Sequence, residues 1–177
     1  MARILAFAGS NSSTSINYKL VKYTTSLVNG HEMNELNMAN YPFPLFSVDL
    51  EKKEGYSNSL IELKNEIQKA DGVILSVNEH NSYPSAYFKN LVDWLSRIER
   101  KFLVDTKVLL MSTSQGKRGG FGSLEVSKAM LSRFGGDILA TFSLPSFNEN
   151  FEAGKGIVDP NLKDEHERAL MTFLSSF

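Results

Sequence analysis

The chain has 177 residues, of which 42% are hydrophobic and 22% are charged, and its formal net charge is −1 at pH 7. These values predict one globular domain, residues 1–177, with a substantial core, and they argue against nucleic acid or an anionic membrane as partner. The absence of cysteine excludes disulfides, thiolate catalysis and thiolate metal sites.

Five short apolar runs predict strands, and helical patterns separate them. Three of the runs lack polar alternation, which is typical of strands covered on both faces of a parallel sheet. The second run is more polar, so we expect it nearer an edge of the sheet. The predicted strands are Ile4–Ala8, Glu32–Leu36, Val73–Val77, Val108–Met111 and Ile138–Phe142.

Apolar residues at spacings of three and four predict an amphipathic helix after each strand. Gly135-Gly136 is a typical C-terminal stop for the fourth of these helices. The repeated β-α pattern predicts an α/β three-layer sandwich with a five-stranded parallel sheet in the order 2-1-3-4-5. The helical stripes begin at Ile16, Leu60, Phe88, Leu124 and Leu170.

Two stretches, Asn37–Ser57 and Ser143–Asp164, show no clear pattern and are long for structureless loops. Function or subunit contact is therefore expected there. The apolar segment Tyr41–Phe46 would suit an oligomer surface if exposed, or it packs on its own domain. We predict a homo-oligomer, either a dimer or a tetramer.

The sequence shows no pattern typical of a targeting segment or of a metal site. No apolar run reaches membrane-spanning length, and Met1–Arg3 leads into the first strand without a signal-peptide pattern, so a cytoplasmic location is expected. No His or carboxylate pair has metal-ligand spacing on one helix face, so no metal is predicted. His31 and His166 are expected to be exposed, at turn and helix positions.

The loop Gly9–Asn17 joins the first strand to the first helix and carries five hydroxyl side chains, two carboxamides and no charge. Short donors, backbone N–H groups and a helix dipole at such a place suit a phosphate. The alternative is an ordinary turn, with Ser15 capping the helix and nothing bound.

Ligands of open parallel sheets bind beyond the carboxyl ends of the strands, where the strand order switches. Residues 10–17, 78–84 and 112–120 meet there and are short, polar and punctuated by Gly or Pro, whereas the loops at the opposite end are ordinary turns. These loops suit a flat heterocycle with a phosphate tail, such as FMN. Neither the P-loop motif nor the dinucleotide Gly-x-Gly-x-x-Gly is present.

Three motifs resemble those of the NADPH-dependent FMN reductases, a flavodoxin-like family. Gly9-Ser10 with Ser15 and Asn17 resembles the phosphate loop, residues 79–94 resemble the second signature, and residues 114–120 resemble the third. Ser12 stands where the family commonly has Arg, so hydroxyls and backbone would bind the phosphate. The resemblance implies a flavodoxin-like fold, FMN as cofactor, and NADPH or NADH as hydride donor.

The resemblance also implies which residues contact the cofactor. His80 replaces the family's usual Tyr and would either lie near the flavin edge or be a loop histidine satisfied by its neighbours. Glu79 is either a flavin or subunit contact or a solvated acid. Lys117-Arg118 either receives the extra phosphate of NADPH or is solvated. The cofactor-binding residues are predicted as Ser10, Ser12, Ser15, Ile16, Asn17, Asn78, Glu79, His80, Asn81, Ser82, Ser114, Gln115, Gly116 and Gly119.

The implied activity is an oxidoreductase that passes hydride from NAD(P)H to FMN and then to a small-molecule acceptor, such as a quinone, azo compound or flavin. The cofactor carries that chemistry, so no catalytic side chain is predicted. The alternative is a flavodoxin-type electron carrier, but such carriers are strongly acidic and this chain is not. A receiver-type signalling domain needs clustered aspartates at the strand ends, which are absent.

Overall fold

A computed structural model describes residues 1–177. Five parallel strands form the central sheet in the order β2-β1-β3-β4-β5, which confirms the predicted order. Each predicted strand is confirmed, with at most two further residues at either end. The strands are β1 Arg3–Ala8, β2 Glu32–Leu36, β3 Gly72–Val77, β4 Lys107–Thr113 and β5 Asp137–Leu144.

Seven helices accompany the sheet, and side-chain caps define where several of them begin. Ser15, Ser57 and Ser85 each accept a hydrogen bond from the backbone N–H three residues later. Gly135, at φ +99°, follows the fourth predicted helix and confirms the expected stop. The helices are α1 Ile16–Ser26, α2 Val48–Glu54, α3 Asn58–Lys69, α4 Ala86–Ile98, α5 Phe121–Arg133, α6 Phe147–Asn150 and α7 Pro160–Leu174.

Helices cover both faces of the sheet, which confirms the three-layer sandwich. Alternate residues of each strand point to opposite faces, so Leu5 and Phe7 join one apolar layer while Ile4 joins the other. The first layer packs against α3, α4 and α5, and it contains Trp94, which is 1% exposed. The second packs against α1 and α7. No helix is both long enough and apolar enough to cross a bilayer.

The stretch Asn37–Ser57 is not irregular throughout, as the sequence suggested, because it contains a 3₁₀ turn at Met38–Asn40 and helix α2. Its aromatic side chains pack on the domain. The Pro44 carbonyl accepts hydrogen bonds from Trp94 Nε1 at 2.8 Å and from Asn90 Nδ2 at 3.0 Å. In this segment Leu45 remains 79% exposed. Contacts to the domain thus half-bury Tyr41, Phe43 and Phe46.

The stretch Ser143–Asp164 also differs from the expected loop. It contains the end of β5, helix α6, the start of α7, and a hairpin that pairs Phe151–Glu152 with Gly156–Ile157. The hairpin contacts α1 through Tyr23. A Cβ atom on Gly156 would lie 2.0 Å from a carbon of the Tyr23 ring, so this close approach requires glycine.

The prediction that His166 is exposed is wrong, because its side chain is 0% exposed. Its Nε2 lies 2.8 Å from Thr24 Oγ1, while its Nδ1 is buried without a partner. The acidic neighbours of His166 in the chain suggested a solvated face. However, Leu162, Leu170 and Phe173 lie four or seven residues away, which places His166 on the apolar face of α7.

Burial lowers the pKa of His166 to about 4 from its ordinary value of 6.5. The unfolded chain therefore binds more protons than the folded protein between these two pH values. The free energy of unfolding should fall as the pH drops through this window, by about 3 kcal/mol in total. We expect His166→Leu to remove this contribution. Urea unfolding of the wild-type protein and of His166→Leu, each at pH 6.5 and pH 4.5, measures this contribution. If the free energy of unfolding falls equally in the two proteins between these pH values, the prediction is contradicted.

Candidate functional site at the carboxyl ends of the strands

Buried polar groups at the ends of β3 and β4 hold the first loop. Asn17 Oδ1 accepts hydrogen bonds from Ser76 Oγ at 2.7 Å and from the Thr113 backbone N–H at 3.0 Å. Asn17 Nδ2 donates to the Thr113 carbonyl at 3.1 Å. The carboxamide therefore faces the protein interior, so Asn17 offers a ligand only its backbone N–H.

The rest of the first loop has the character of an anion site. Ser15 Oγ accepts from the Tyr18 N–H at 3.2 Å and caps α1, which leaves its hydroxyl proton free to donate. The N–H groups of Ile16 and Asn17 donate to no acceptor in the chain. Ser10 is buried, and Ser12 is exposed. Neutral donors thus surround the positive end of the α1 dipole.

The second loop is a tight hairpin rather than an open loop. Glu79 pairs with Pro84 and His80 with Tyr83, and the two residues between them, Asn81 and Ser82, have φ values of 53° and 68°. Two such residues form the turn that suits the twist of a hairpin. His80, Asn81 and Ser82 are exposed and form its tip.

Glu79 caps helix α5. Its Oε2 accepts from the Ser123 backbone N–H at 2.9 Å, and Ser123 Oγ donates to the Asn78 carbonyl at 2.9 Å. The N-cap residue of α5 is Gly120, which has no side chain to do this. One Glu79 oxygen is therefore used within the protein. Asn78 Oδ1, beside it, is buried and has no hydrogen-bond partner.

Two glycines shape the third loop. Gly119 and Gly120 have φ values of 59° and 78°, and Ser112 Oγ donates to the Gly119 carbonyl at 2.8 Å. Gln115 Nε2 donates to Asn148 Oδ1 at 3.0 Å, and the Asn148 N–H donates to Gln115 Oε1 at 3.3 Å. The Gln115 carboxamide is therefore used to join the loop to α6.

Backbone contacts anchor the same loop to the segment after β5. The Gly116 carbonyl accepts from the N–H groups of Gly119 at 3.1 Å and Ser146 at 3.0 Å. The Ser114 carbonyl accepts from the Phe147 N–H at 3.0 Å. Gly116 is exposed, as are the two basic residues that follow it. These contacts give the loop a defined shape.

The structure brings the three predicted loops together at one edge of the sheet. Ser85 Oγ donates to the Gly9 carbonyl at 3.1 Å, which joins the first loop to the second. Asn17 joins the first loop to β4, and Glu79 joins the second to α5. The sequence analysis missed several of the supporting residues, although polar residues at the ends of apolar strands were a signal for some of them. The missed residues are Ser76, Ser123 and Asn148, whereas Ser112 and Thr113 lie in the predicted loop 112–120 without having been among its predicted binding residues.

The edge has few groups suited to acid–base catalysis. His80 is exposed and its side chain makes no hydrogen bond, and Glu79 is engaged with Ser123. No three His, Asp or Glu side chains come together anywhere in the chain in a way that could hold a metal ion. The arrangement consists mainly of neutral hydrogen-bonding groups, so it is suited to binding a ligand.

Solved structures resemble the whole chain. FerB, a flavoenzyme NAD(P)H:(acceptor) oxidoreductase from Paracoccus denitrificans, matches with a TM-score of 0.76 at 22% identity, covering 99% of this chain and 98% of FerB. The apo form of the NADH:FMN oxidoreductase EMOB matches with a TM-score of 0.78 at 16% identity, covering 100% of this chain and 90% of that one. These likenesses confirm the flavodoxin-like fold.

Curated relatives match parts of the chain. A quinone reductase of Escherichia coli K12 is 35% identical over 77 residues, which cover 44% of this chain but only 41% of that protein. An NADPH:quinone oxidoreductase of Arabidopsis thaliana is 29% identical over 124 residues, covering 68% of this chain and 62% of its own length. The family model of NADPH-dependent FMN reductases matches residues 2–149. The chain therefore belongs to the NADPH-dependent FMN reductase family, whose name implies FMN and NADPH as its cofactors.

Proposed function

We propose that this protein is an FMN-dependent NAD(P)H oxidoreductase that reduces a small-molecule acceptor such as a quinone, azo compound or flavin. The observation that carries the proposal is the joining of three polar loops, the first of them uncharged and rich in donors, at one edge of the sheet. Family membership and the names of the quinone reductases that match the chain support the same activity. Residues 1–177 would act as one FMN-binding domain.

The residues at this edge fit FMN. The hydroxyls of Ser10 and Ser15 and the free N–H groups of Ile16 and Asn17 would hold its phosphate, because they are donors at a helix N-terminus with no carboxylate among them. The buried Asn78 Oδ1 lacks a donor, and a flavin ring carries an N–H group that could supply one.

The protein's own part is positioning, because bound FMN supplies the hydride and electron chemistry. The backbone N–H groups of the third loop would bind the carbonyl edge of the ring, where negative charge increases on reduction. The exposed tip of the second loop, with His80 and Asn81, would border an open face that accepts either NAD(P)H or the acceptor. No proton transfer from a side chain is required for hydride transfer.

The absorbance spectrum of the purified protein tests the function. We expect a yellow protein with non-covalent FMN that bleaches rapidly when NADPH or NADH is added without oxygen. A flavodoxin-type carrier would be yellow but would bleach slowly, and a receiver domain would be colourless. Either result would overturn the proposal. Reoxidation by added quinone then tests the acceptor class.

We expect replacement of both Ser10 and Ser15 by Ala to weaken FMN binding at least tenfold. Each hydroxyl would donate to an anionic phosphate, and a hydrogen bond to a charged group contributes about 1.5–3 kcal/mol. Fluorescence titration of apoprotein with FMN measures the affinity.

The change at Ser15 also removes a helix cap, so Ser57→Ala, which removes the equivalent cap of α3, is the matched control. Each lost cap should cost about 1 kcal/mol of stability, but the control should bind FMN normally. Unchanged FMN affinity in the double variant would place the phosphate elsewhere.

A homo-oligomer and a cytoplasmic location are also part of the proposal. Tyr41–Phe46 packs on α4 but leaves Leu45 79% exposed, and Val48, three residues further along the chain, is 49% exposed, which supports a contact with a second copy. We expect light scattering at micromolar concentration to give a mass of at least two chains. A monomer would contradict this.

A further inference from the structure

A cavity of about 470 Å³ opens between helix α1 and the hairpin that follows α6. None of the residues predicted to bind FMN lines it. Side chains of α1 form one wall, and the hairpin, with its two glycines, forms the other. The lining residues are Lys19, Lys22, Tyr23, Ser26, Phe151, Ala153, Gly154, Lys155 and Gly156.

The lining of this cavity is positively charged. It contains three lysines and no carboxylate, in a chain whose overall net charge is −1. Lys19 and Lys22 form no ion pair, and the Lys22 ammonium lies 5.4 Å from the centre of the Tyr18 ring. Lys155 pairs with Glu152 at 2.8 Å. At least two positive charges are therefore available to an anion.

The walls are aromatic and closely packed. The Tyr23 ring lies against Gly156, where a Cβ atom would be 2.0 Å away, and meets Phe151 edge-on with 5.8 Å between ring centres. Phe151 stacks on Phe147 at 4.7 Å. Burial, and then the charge of Glu167, raise the pKa of the Tyr23 hydroxyl. The cavity thus has a defined shape before any ligand binds.

We propose that this cavity is a second ligand site, separate from the FMN site, that binds a nucleotide. A phosphate group accepts hydrogen bonds from several ammonium groups at once, which matches a cavity lined by lysines of both α1 and the hairpin. A base would pack on the exposed edges of Tyr23 and Phe151. The volume lies within the range of small-molecule sites.

Titration of ¹⁵N-labelled, FMN-saturated protein with AMP tests the proposal, because bound FMN blocks the first loop. We expect amide shifts confined to residues 19–26 and 151–157, with adenosine binding at least tenfold more weakly. Shifts centred on residues 10–17, no shifts at millimolar AMP, or inorganic phosphate binding as tightly as AMP would overturn it. Tighter binding of a short RNA than of AMP would also overturn it, in favour of a nucleic-acid surface.

Variants separate this site from the proposed function. We expect Lys19→Ala with Lys155→Ala to weaken AMP binding at least tenfold while FMN affinity and the melting temperature stay unchanged. Lys128→Ala, an exposed lysine on α5 at the other face of the sheet, is the matched control and should bind AMP normally. Equal AMP affinity in both variants would refute the site. If the protein does not bind FMN, the proposed function fails, but the same AMP titration still decides this proposal.

Discussion

Asn17→Ala should lower the free energy of unfolding by about 3 kcal/mol and weaken FMN binding at least tenfold. The substitution leaves the backbone N–H and carbonyl of Thr113 buried without partners, and each such group costs about 1–3 kcal/mol. It also removes the acceptor of Ser76 Oγ. The start of α1, with its free N–H groups, would no longer be held at the ends of β3 and β4.

Asn29→Ala is the control for this experiment. Asn29 is exposed, and its side chain makes one long hydrogen bond of 3.4 Å to the Leu27 carbonyl, so its loss should change stability by less than about 0.5 kcal/mol. Urea unfolding and FMN titration are measured on both variants. A loss below 1 kcal/mol in Asn17→Ala would show that this carboxamide does not organise the site.

Gly119→Ala should lower stability by about 3 kcal/mol and distort the third loop. Gly119 has a φ of 59°, a left-handed conformation that costs other residues about 1–2 kcal/mol. A Cβ there would lie 2.4 Å from Ser143 Oγ and 2.8 Å from the Leu144 carbonyl carbon, and the backbone of β5 has little room to move. FMN affinity should therefore fall at least tenfold.

Gly116→Ala is the matched control in the same loop. Its backbone is not left-handed, and the nearest atom to an added Cβ would be Ser114 Oγ at 3.7 Å, an ordinary contact. We expect stability and FMN affinity to stay within the error of wild type. If both glycine variants behave alike, the close approach of Gly119 to β5 is not what shapes the loop.

The losses expected in Asn17→Ala and Gly119→Ala have the same cause, because each substitution disturbs a loop that the wild-type residue holds in place. The Asn17 side chain bonds within the protein and Gly119 has no side chain, yet each residue holds a loop at the edge of the sheet. The proposed oxidoreductase would depend on such positioning because hydride transfer on FMN requires no side-chain acid or base. His80→Asn, at the exposed tip, should alter the Michaelis constants or the acceptor preference more than the rate of hydride transfer, which single-turnover flavin reduction by stopped flow measures.

The sequence alone was sufficient for the elements and for which loops meet at one edge of the sheet. Continuous apolar runs in β1 and β3 predicted buried parallel strands, because only a sheet covered on both faces needs them. Alternation with helices then predicted the strand order, and that order predicted which loops meet. The loop 9–17 was recognisable as a candidate phosphate loop because its hydroxyl-rich composition can be seen in nine consecutive residues.

The tertiary structure decided which way individual polar side chains face. Asn17 turns inward to bond with Thr113, which lies 96 residues away in the chain. No local sequence pattern predicts a pairing over that distance. Gln115 likewise bonds with Asn148, which lies 33 residues away in the chain. His166 is buried because α7 packs on Tyr23 and Phe142, although its neighbours in sequence are acidic. Periodicity and composition determine which elements form, whereas the environment of a polar group depends on contacts between distant parts of the chain.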